Sequence, residues 1–375
     1  MKWTVVALCV VAVWCGVAVG AEDEAGGAEP SWTDRFDFSG LFYLTYENGT
    51  LAGDDFSEFF VTRAYLTVDV EILPFLTGRI TFDTAQDLEG QGRGDMEVRL
   101  KYAHAKFHWR DVGLLNDPNL EFGIVHMVWL DFEEHINLYR MRGPMFMERS
   151  GIFNSADFGL TFASGVGADM GEEYLSYAGN KYGTRHGSFA VGIYNGSGYH
   201  GDERNVDKTV EARVTWRPLP DLVRGLKVAS LAIHGDGNVE GLDGDPPRWR
   251  TYNAFASYQF PHGTVTAQVV TGEGNQRGDW VEPDDPSEAM DFSGWSLFGE
   301  WRLGADHRWR VIGSYDDFER IADTGRDFSF SYAFVAVGYD LGKSNILMLD
   351  VDQRDWDDPA RDTDRRAQVV LQLKF

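Results

Sequence analysis

Cysteine is almost missing from this chain: there are two, Cys9 and Cys15, and both fall in the first 21 residues. A chain cleaved after Ala21 is left with no disulfide and no thiolate metal site, and packing and strand pairing alone must hold it together. Proline is sparse, 12 in 375 residues, and composition excludes a collagen or a disordered tail. No run of 18 apolar residues follows the N-terminal segment, and mean hydropathy is -0.31. Those two facts exclude a polytopic helical membrane protein and leave open a barrel that crosses with strands. Cations are in deficit, 34 Lys plus Arg against 59 Asp plus Glu for a net charge of -25, so no nucleic acid is expected as a partner. HExxH spacing is absent, and Glu133, Glu134 and His135 are too close in sequence to converge on one ion. No metal and no cofactor are therefore expected. No nucleophile with base and orienting acid stands out either, so no catalytic residue is assigned and no enzyme is expected.

What is present begins with an export signal. Lys2 precedes an apolar stretch from Val5 to Val19, and Val19-Gly20-Ala21 is a small-residue cleavage pattern. Residues 1–21 are expected to be a signal peptide, 22–34 an acidic leader, and 35–375 one β-barrel domain. Beyond the leader, segments of about 9 to 13 residues with period-two apolarity follow one another to residue 375. Phe60, Ala64, Leu66, Val68 and Val70 alternate with Arg63, Thr67 and Asp69, and Leu76, Ile80 and Phe82 alternate with Arg79, Thr81 and Asp83. Sixteen such segments are expected, the first near 36–47 and the last near 365–375. Connections after even-numbered strands are mostly short and those after odd-numbered strands mostly longer and acidic, the asymmetry of transmembrane barrels. The exception is Gly165 to Gly187, which is long where a turn is expected and leaves the strand count open by two.

The expected fold is all-β, a transmembrane antiparallel barrel of about 16 strands. Its outward apolar face carries aromatic residues at both water boundaries: Trp216, Phe260, Trp301, Trp309, Tyr339 and Phe375 at the turn side, and Tyr252, Trp295 and Tyr315 at the loop side. The fourth strand breaks the pattern. Val98, Leu100 and Tyr102 point outward by parity, yet continuing the same parity puts His104, Lys106 and His108 on the lipid face. A charge at mid-bilayer costs about 2–4 kcal/mol, so those residues sit near a boundary or a register break falls within the strand.

Sixteen strands are expected to enclose water and not a packed core. Parity places Arg63, Arg79, Asp83, Arg99, Lys101, Glu211, Arg213, Glu300, Arg302 and Arg310 on the channel wall. The longest loop, Leu130 to Ala156, carries Asp131, Glu133, Glu134, His135, Arg140, Arg142, Glu148 and Arg149. Folded inward, it would narrow the bore and set acids and bases across from the wall charges.

The C-terminal run Val369-Val370-Leu371-Gln372-Leu373-Lys374-Phe375 resembles the assembly signal of bacterial outer-membrane barrels. Phe60 to Glu71, Met145 to Leu160 and Tyr194-Asn195-Gly196-Ser197-Gly198 resemble the phosphate-selective porin O and P family. The resemblance implies an outer-membrane channel for passive diffusion of ions and small hydrophilic solutes, a homotrimer, a third external loop folded into the bore, and delivery to the barrel assembly machinery through the Phe375 strand. It also implies a ladder of arginines and a lysine cluster where phosphate is selected; the seven lysines after residue 21 are scattered and match no cluster. Two other readings stand beside it: an exported adhesin or carbohydrate-binding β protein, and an outer-membrane barrel enzyme.

Overall fold

Period-two apolarity becomes sixteen strands: β1 (Phe36–Leu51), β2 (Asp54–Leu73), β3 (Leu76–Gln86), β4 (Met96–His108), β5 (Leu115–His126), β6 (Ala156–Val166), β7 (Gly187–Tyr194), β8 (Thr209–Trp216), β9 (Leu226–Asp236), β10 (Arg248–Phe260), β11 (Gly263–Glu273), β12 (Asp291–Leu303), β13 (Trp309–Ala322), β14 (Gly325–Gly342), β15 (Asn345–Trp356) and β16 (Asp364–Lys374). The computed structural model describes residues 32–86, 94–178, 182–240, 245–323 and 325–375. The expected signal peptide and the leader up to residue 31 lie outside the described residues, and Trp32–Arg35 form one 3-10 turn.

Each strand pairs antiparallel with the next, and β1 pairs with β16, so the sheet closes into a barrel. The register of that seam runs from Leu41 opposite Lys374 to Thr50 opposite Arg365. Residues at one end are joined by tight turns, Pro74-Phe75, Pro261-His262 and Lys343-Ser344, while the other end carries the long connections 127–155, 195–208 and 274–290. Lys343 and Ser344 both have positive φ, the hairpin geometry that matches strand twist. The connection after β6 is a true insertion and not a misread strand. Among the described residues there are three short α-helices, α1 (Val128–Glu133), α2 (Phe146–Arg149) and α3 (Gly171–Ala178), and this connection holds α3.

The outer face is apolar where the alternation demands it. On β15, Leu347, Leu349 and Val351 are exposed, while Met348 and Asp350 between them are buried inside the barrel. Outward aromatics meet across strands at both rims: Trp309 with Tyr339 (4.9 Å) and Phe260 with Trp301 (5.5 Å) at the turn end, Trp295 with Tyr315 (5.3 Å) nearer the loops.

Two expectations are corrected here. On β4 the register against β3 shifts between the pairs Thr81–Tyr102 and Phe82–Leu100, leaving Lys101 as an extra residue. This bulge turns Tyr102 inward with Lys101, and with it His104, Lys106 and His108, so none of these faces lipid. The interior is also not all water. Phe255, Phe292, Phe298, Ile312, Phe318, Phe330 and Phe334 on β10, β12, β13 and β14 point inward and are buried with residues of the 127–155 segment in one apolar cluster. Alternation reports two faces and cannot say whether an apolar inner face meets protein or solvent.

Depth on the outer face should set the cost of a charge. Leu349 lies mid-strand opposite Val337 and Val369, so Leu349→Arg is expected to destabilise the barrel by about 2–4 kcal/mol and Trp301→Arg, at the rim, by about 0–1 kcal/mol. Urea titrations of the protein folded into lipid vesicles measure both.

Candidate functional site: the inner wall and the inserted loop

The segment 127–155 leaves β5 at His126 and rejoins the wall at Ala156. Its polar contacts fall on β8, β12, β13, β14 and β16, a spread that only a segment inside the barrel can reach. The first anchor is on β8. Helix α1 has no side-chain cap of its own, and Glu211 supplies one from the wall by accepting the N–H groups of Val128 and Trp129, both at 3.1 Å. Trp129 and Phe132 then pack edge-on against Phe255, with ring centroids 5.4 and 5.8 Å away.

A second anchor lies on β12 and β13. Tyr139 donates its hydroxyl to Glu300 (2.7 Å), which also accepts from Arg302 (2.8 and 3.1 Å) and Arg310 (2.7 Å). Arg310 reaches on to Asp340 at 2.5 Å. A third anchor uses the loop's own arginines. Arg142 donates to the Tyr332 hydroxyl and lies 3.7 Å above the Phe334 ring, and Arg149 pairs with Asp316. Asn154 N–H donates to the Gln276 side chain at 2.6 Å, so the connection after β11 closes over the end of the loop.

Between these anchors the loop presents charge to the opposite wall. Arg140 pairs with Glu148 and, at 3.2 Å, with Glu134. Burial alone would raise the Glu148 carboxyl, but the Arg140 guanidinium outweighs it and holds the group below the ordinary carboxylate range. Facing the pair are Arg63, which pairs with Asp83 at 3.0 Å, and Lys101, whose ammonium donates to the Tyr65 hydroxyl at 3.2 Å and lies 4.7 Å over that ring. A cavity of about 520 Å³ toward the loop end is bounded by Glu47, Arg142, Glu148, Arg354 and Arg366. Another of about 220 Å³ toward the turn end is bounded by Tyr65, Arg79, Lys101, Glu134 and Arg140. The Arg140 charge cluster lies between them.

The inward residues expected from parity divide into two groups. Arg63, Arg79, Asp83, Arg99 and Lys101 belong to the half of the wall formed by β2, β3 and β4, where Arg79 holds Asp69 bidentately at 2.7 and 2.9 Å. Glu211, Arg213, Glu300, Arg302 and Arg310 point inward on the other half, where the inserted loop covers much of the wall. Arg213 is fully buried, stacked against Phe132 and Tyr182, and Glu211 and Glu300 are spent on anchoring. Asp131, Glu133, Glu134 and His135 diverge: Tyr182 donates to Asp131 (2.7 Å), Trp129 Nε1 donates to Glu133 (2.8 Å), Glu134 turns to Arg140, and His135 Nδ1 lies 2.6 Å from the Asp131 carbonyl. Missed in the sequence were Tyr65, Tyr199, Glu121 and His126. Tyr199 comes from the connection after β7 and donates to Asp83 at 3.2 Å, a contact no local pattern announces.

No protein-family model matches the sequence, and no curated protein does. Solved structures match over nearly the whole chain. OmpF of Salmonella typhi, in complex with daunomycin, has a TM-score of 0.61 at 15% identity, covering 92% of this chain and 99% of that one. An anion-selective porin from Comamonas acidovorans has a TM-score of 0.59 at 11% identity, covering 91% and 99%. The fold is that of the outer-membrane porins. The trimer form of OmpT, an outer membrane protein of Vibrio cholerae, has a TM-score of 0.53 at 11% identity, again covering 91% and 99%. At these identities the likeness to porins is one of fold.

Two properties of the loop are open to measurement. Burial pushes the Glu133 carboxyl up to about 7 from its ordinary 4.5, against the pull of the Trp129 hydrogen bond. The folded loop therefore keeps a proton that the unfolded chain releases, a contribution fully present below pH 4.5 and lost as pH rises through about 7. Amide-exchange protection of residues 128–133, corrected for intrinsic exchange, is expected to fall across that window, and Glu133→Gln should flatten this part of the profile. Glu211→Gln replaces one of two accepting oxygens by a donor facing an N–H. Limited proteolysis should then cut within 127–155 at least about tenfold faster than in wild type, the scale of a lost buried hydrogen bond to a charged group.

Proposed function

We propose that this chain is an outer-membrane porin, a water-filled channel through which ions and small hydrophilic solutes diffuse down their gradients, with the 127–155 loop as its constriction. Export through residues 1–21, delivery to the barrel assembly machinery through the Phe375 strand, and a homotrimer embedded in outer-membrane lipid complete the reading. The trimer form of the Vibrio protein favours the last of these. Passive diffusion needs no turnover chemistry. The sixteen-stranded fold, the apolar outer belt and the charged constriction all suit it.

The observation that carries the proposal is the arrangement of charge where the loop meets the β2–β4 wall. Arg63 is matched by Asp83, and Arg140 by Glu134 and Glu148. Lys101 and Arg99 have no carboxylate partner among the described residues, so the constriction carries an excess of positive charge although the chain as a whole is strongly negative. An ion entering a narrow, partly dehydrated passage responds to nearby charges and not to the total. Anions are therefore the favoured solutes. Phosphate is one member of that class, and the scattered lysines give it no special place.

Planar-bilayer recordings of the refolded protein under a salt gradient test this. Stepwise conductance with a reversal potential on the anion side is expected, and Lys101→Glu should lower the anion-to-cation permeability ratio about fivefold, the effect of about 1 kcal/mol between charges 4 Å apart in water. A folded, inserted protein that carries no current would end the channel reading in favour of an adhesin or a barrel enzyme.

A further inference from the structure

The β4 bulge that turns His104 inward brings it beside two residues of β5. His104, Glu121 and His126 each offer a donor atom, and these atoms lie within 4.8 Å of one another. His104 Nε2 is 3.8 Å from Glu121 Oε1, and His126 Nδ1 is 3.3 Å from Glu121 Oε2. We propose that these three side chains form a binding site for a divalent transition-metal ion of the zinc class, set in the inner wall at the root of the inserted loop. The inference stands on this geometry and does not depend on the transport reading.

Four-coordinate Zn²⁺ with bonds of about 2.0–2.1 Å keeps neighbouring donors about 3.3 Å apart. The His126 separation from one carboxylate oxygen already has that length, the His104 separation from the other exceeds it by about half an ångström, and with all three donors inside 4.8 Å the set must contract by side-chain rotation to close on an ion. Two imidazoles and one carboxylate are also the ligand set that selects borderline ions over Mg²⁺ and Ca²⁺, which prefer oxygen.

The surroundings are ordered in the way such ligands require. His104 Nδ1 lies 3.2 Å from the Ile124 carbonyl; donating there places the proton on Nδ1 and leaves the Nε2 lone pair directed toward Glu121. The carbonyl of His126 accepts from the hydroxyls of Thr161 (3.1 Å) and Tyr194 (3.2 Å), and its ring stacks on Tyr102 at 3.9 Å. Opposite His104 on β5 is Gly123, with φ +135°; a Cβ there would come within 2.2 Å of the Ala103 carbonyl oxygen. The close approach that brings the strands together at this site is therefore open to glycine alone. Lys106 competes, with its ammonium 3.4 Å from Glu121 Oε1. Without an ion, His126 Nδ1 and Lys106 both lie against the carboxylate; coordination through Nδ1 uses the tautomer that carries its proton on Nε2 and leaves Lys106 with a share of one oxygen. A cavity of about 300 Å³ bounded by Lys106, Glu121, His126 and Asp131 adjoins two of the three ligands and has room for water as a further ligand.

Isothermal titration of the full-length, detergent-folded protein with ZnCl₂ in excess MgCl₂ tests the assignment, with heat-modifiable gel migration as the check on folding. One ion per chain is expected. His104→Gln and Glu121→Gln should each weaken binding about 100-fold or more, since loss of an outer-shell partner already costs 10- to 100-fold. Lys106→Met should tighten it about tenfold by removing a like charge from the ion's vicinity. The proposal is overturned if folded wild type takes up no Zn²⁺, if the two ligand variants bind as wild type does, or if Lys106→Met leaves the affinity unchanged.

Discussion

A backbone N–H or C=O left unpaired in hydrocarbon costs several kcal/mol, and a sheet immersed in lipid escapes that cost only by having no edge. Closure of β1 on β16 meets this constraint here. Once every strand is paired on both sides, the outer face must be apolar between its aromatic rims, and it carries little further information. The inner face is released from that demand. Individual chemistry is therefore concentrated on the inward residues and on the connections that reach them.

The inserted loop divides that inner face. On the side of β8 to β14 its aromatic and aliphatic residues are buried against inward phenylalanines, and buried carboxylates hold its backbone and tyrosine. Toward β2, β3 and β4 it offers Arg140, Glu134 and Glu148 to a charged wall. One half of the inner face is thus packed as a protein interior and the other is lined by charged and polar side chains. The first half holds the loop in place, and with it the charges that the loop sets against the opposite wall.

Much of this was legible in the sequence. The strand number, the order of long and short connections and the outward aromatics all follow from alternation, because lipid enforces period two along whole strands. The switch from Arg99 and Lys101 to His104, Lys106 and His108 even recorded the β4 bulge as a change of parity. Three things were not legible. Inward phenylalanines read like any apolar strand residue until the loop that covers them is placed. Glu211 and Glu300 look like channel charges until α1 and Tyr139 arrive from far along the chain. The triad of His104, Glu121 and His126 needs the bulge and the β4–β5 register together, and neither alone puts those side chains in contact.

The β1–β16 seam has one more consequence. Phe375 lies across Gly40, its ring filling the space a side chain there would take, and the two backbones exchange hydrogen bonds at 3.1 Å in each direction. All other strand pairs join sequence neighbours and can form as local hairpins, but this one joins segments separated by fourteen strands and is the sheet's pairing of greatest sequence separation. Until it forms, a fifteen-hairpin ribbon has two open edges, each ready to accept a strand from another molecule. The barrel is thus a structure whose local order can accumulate step by step while its protection from misassembly arrives all at once.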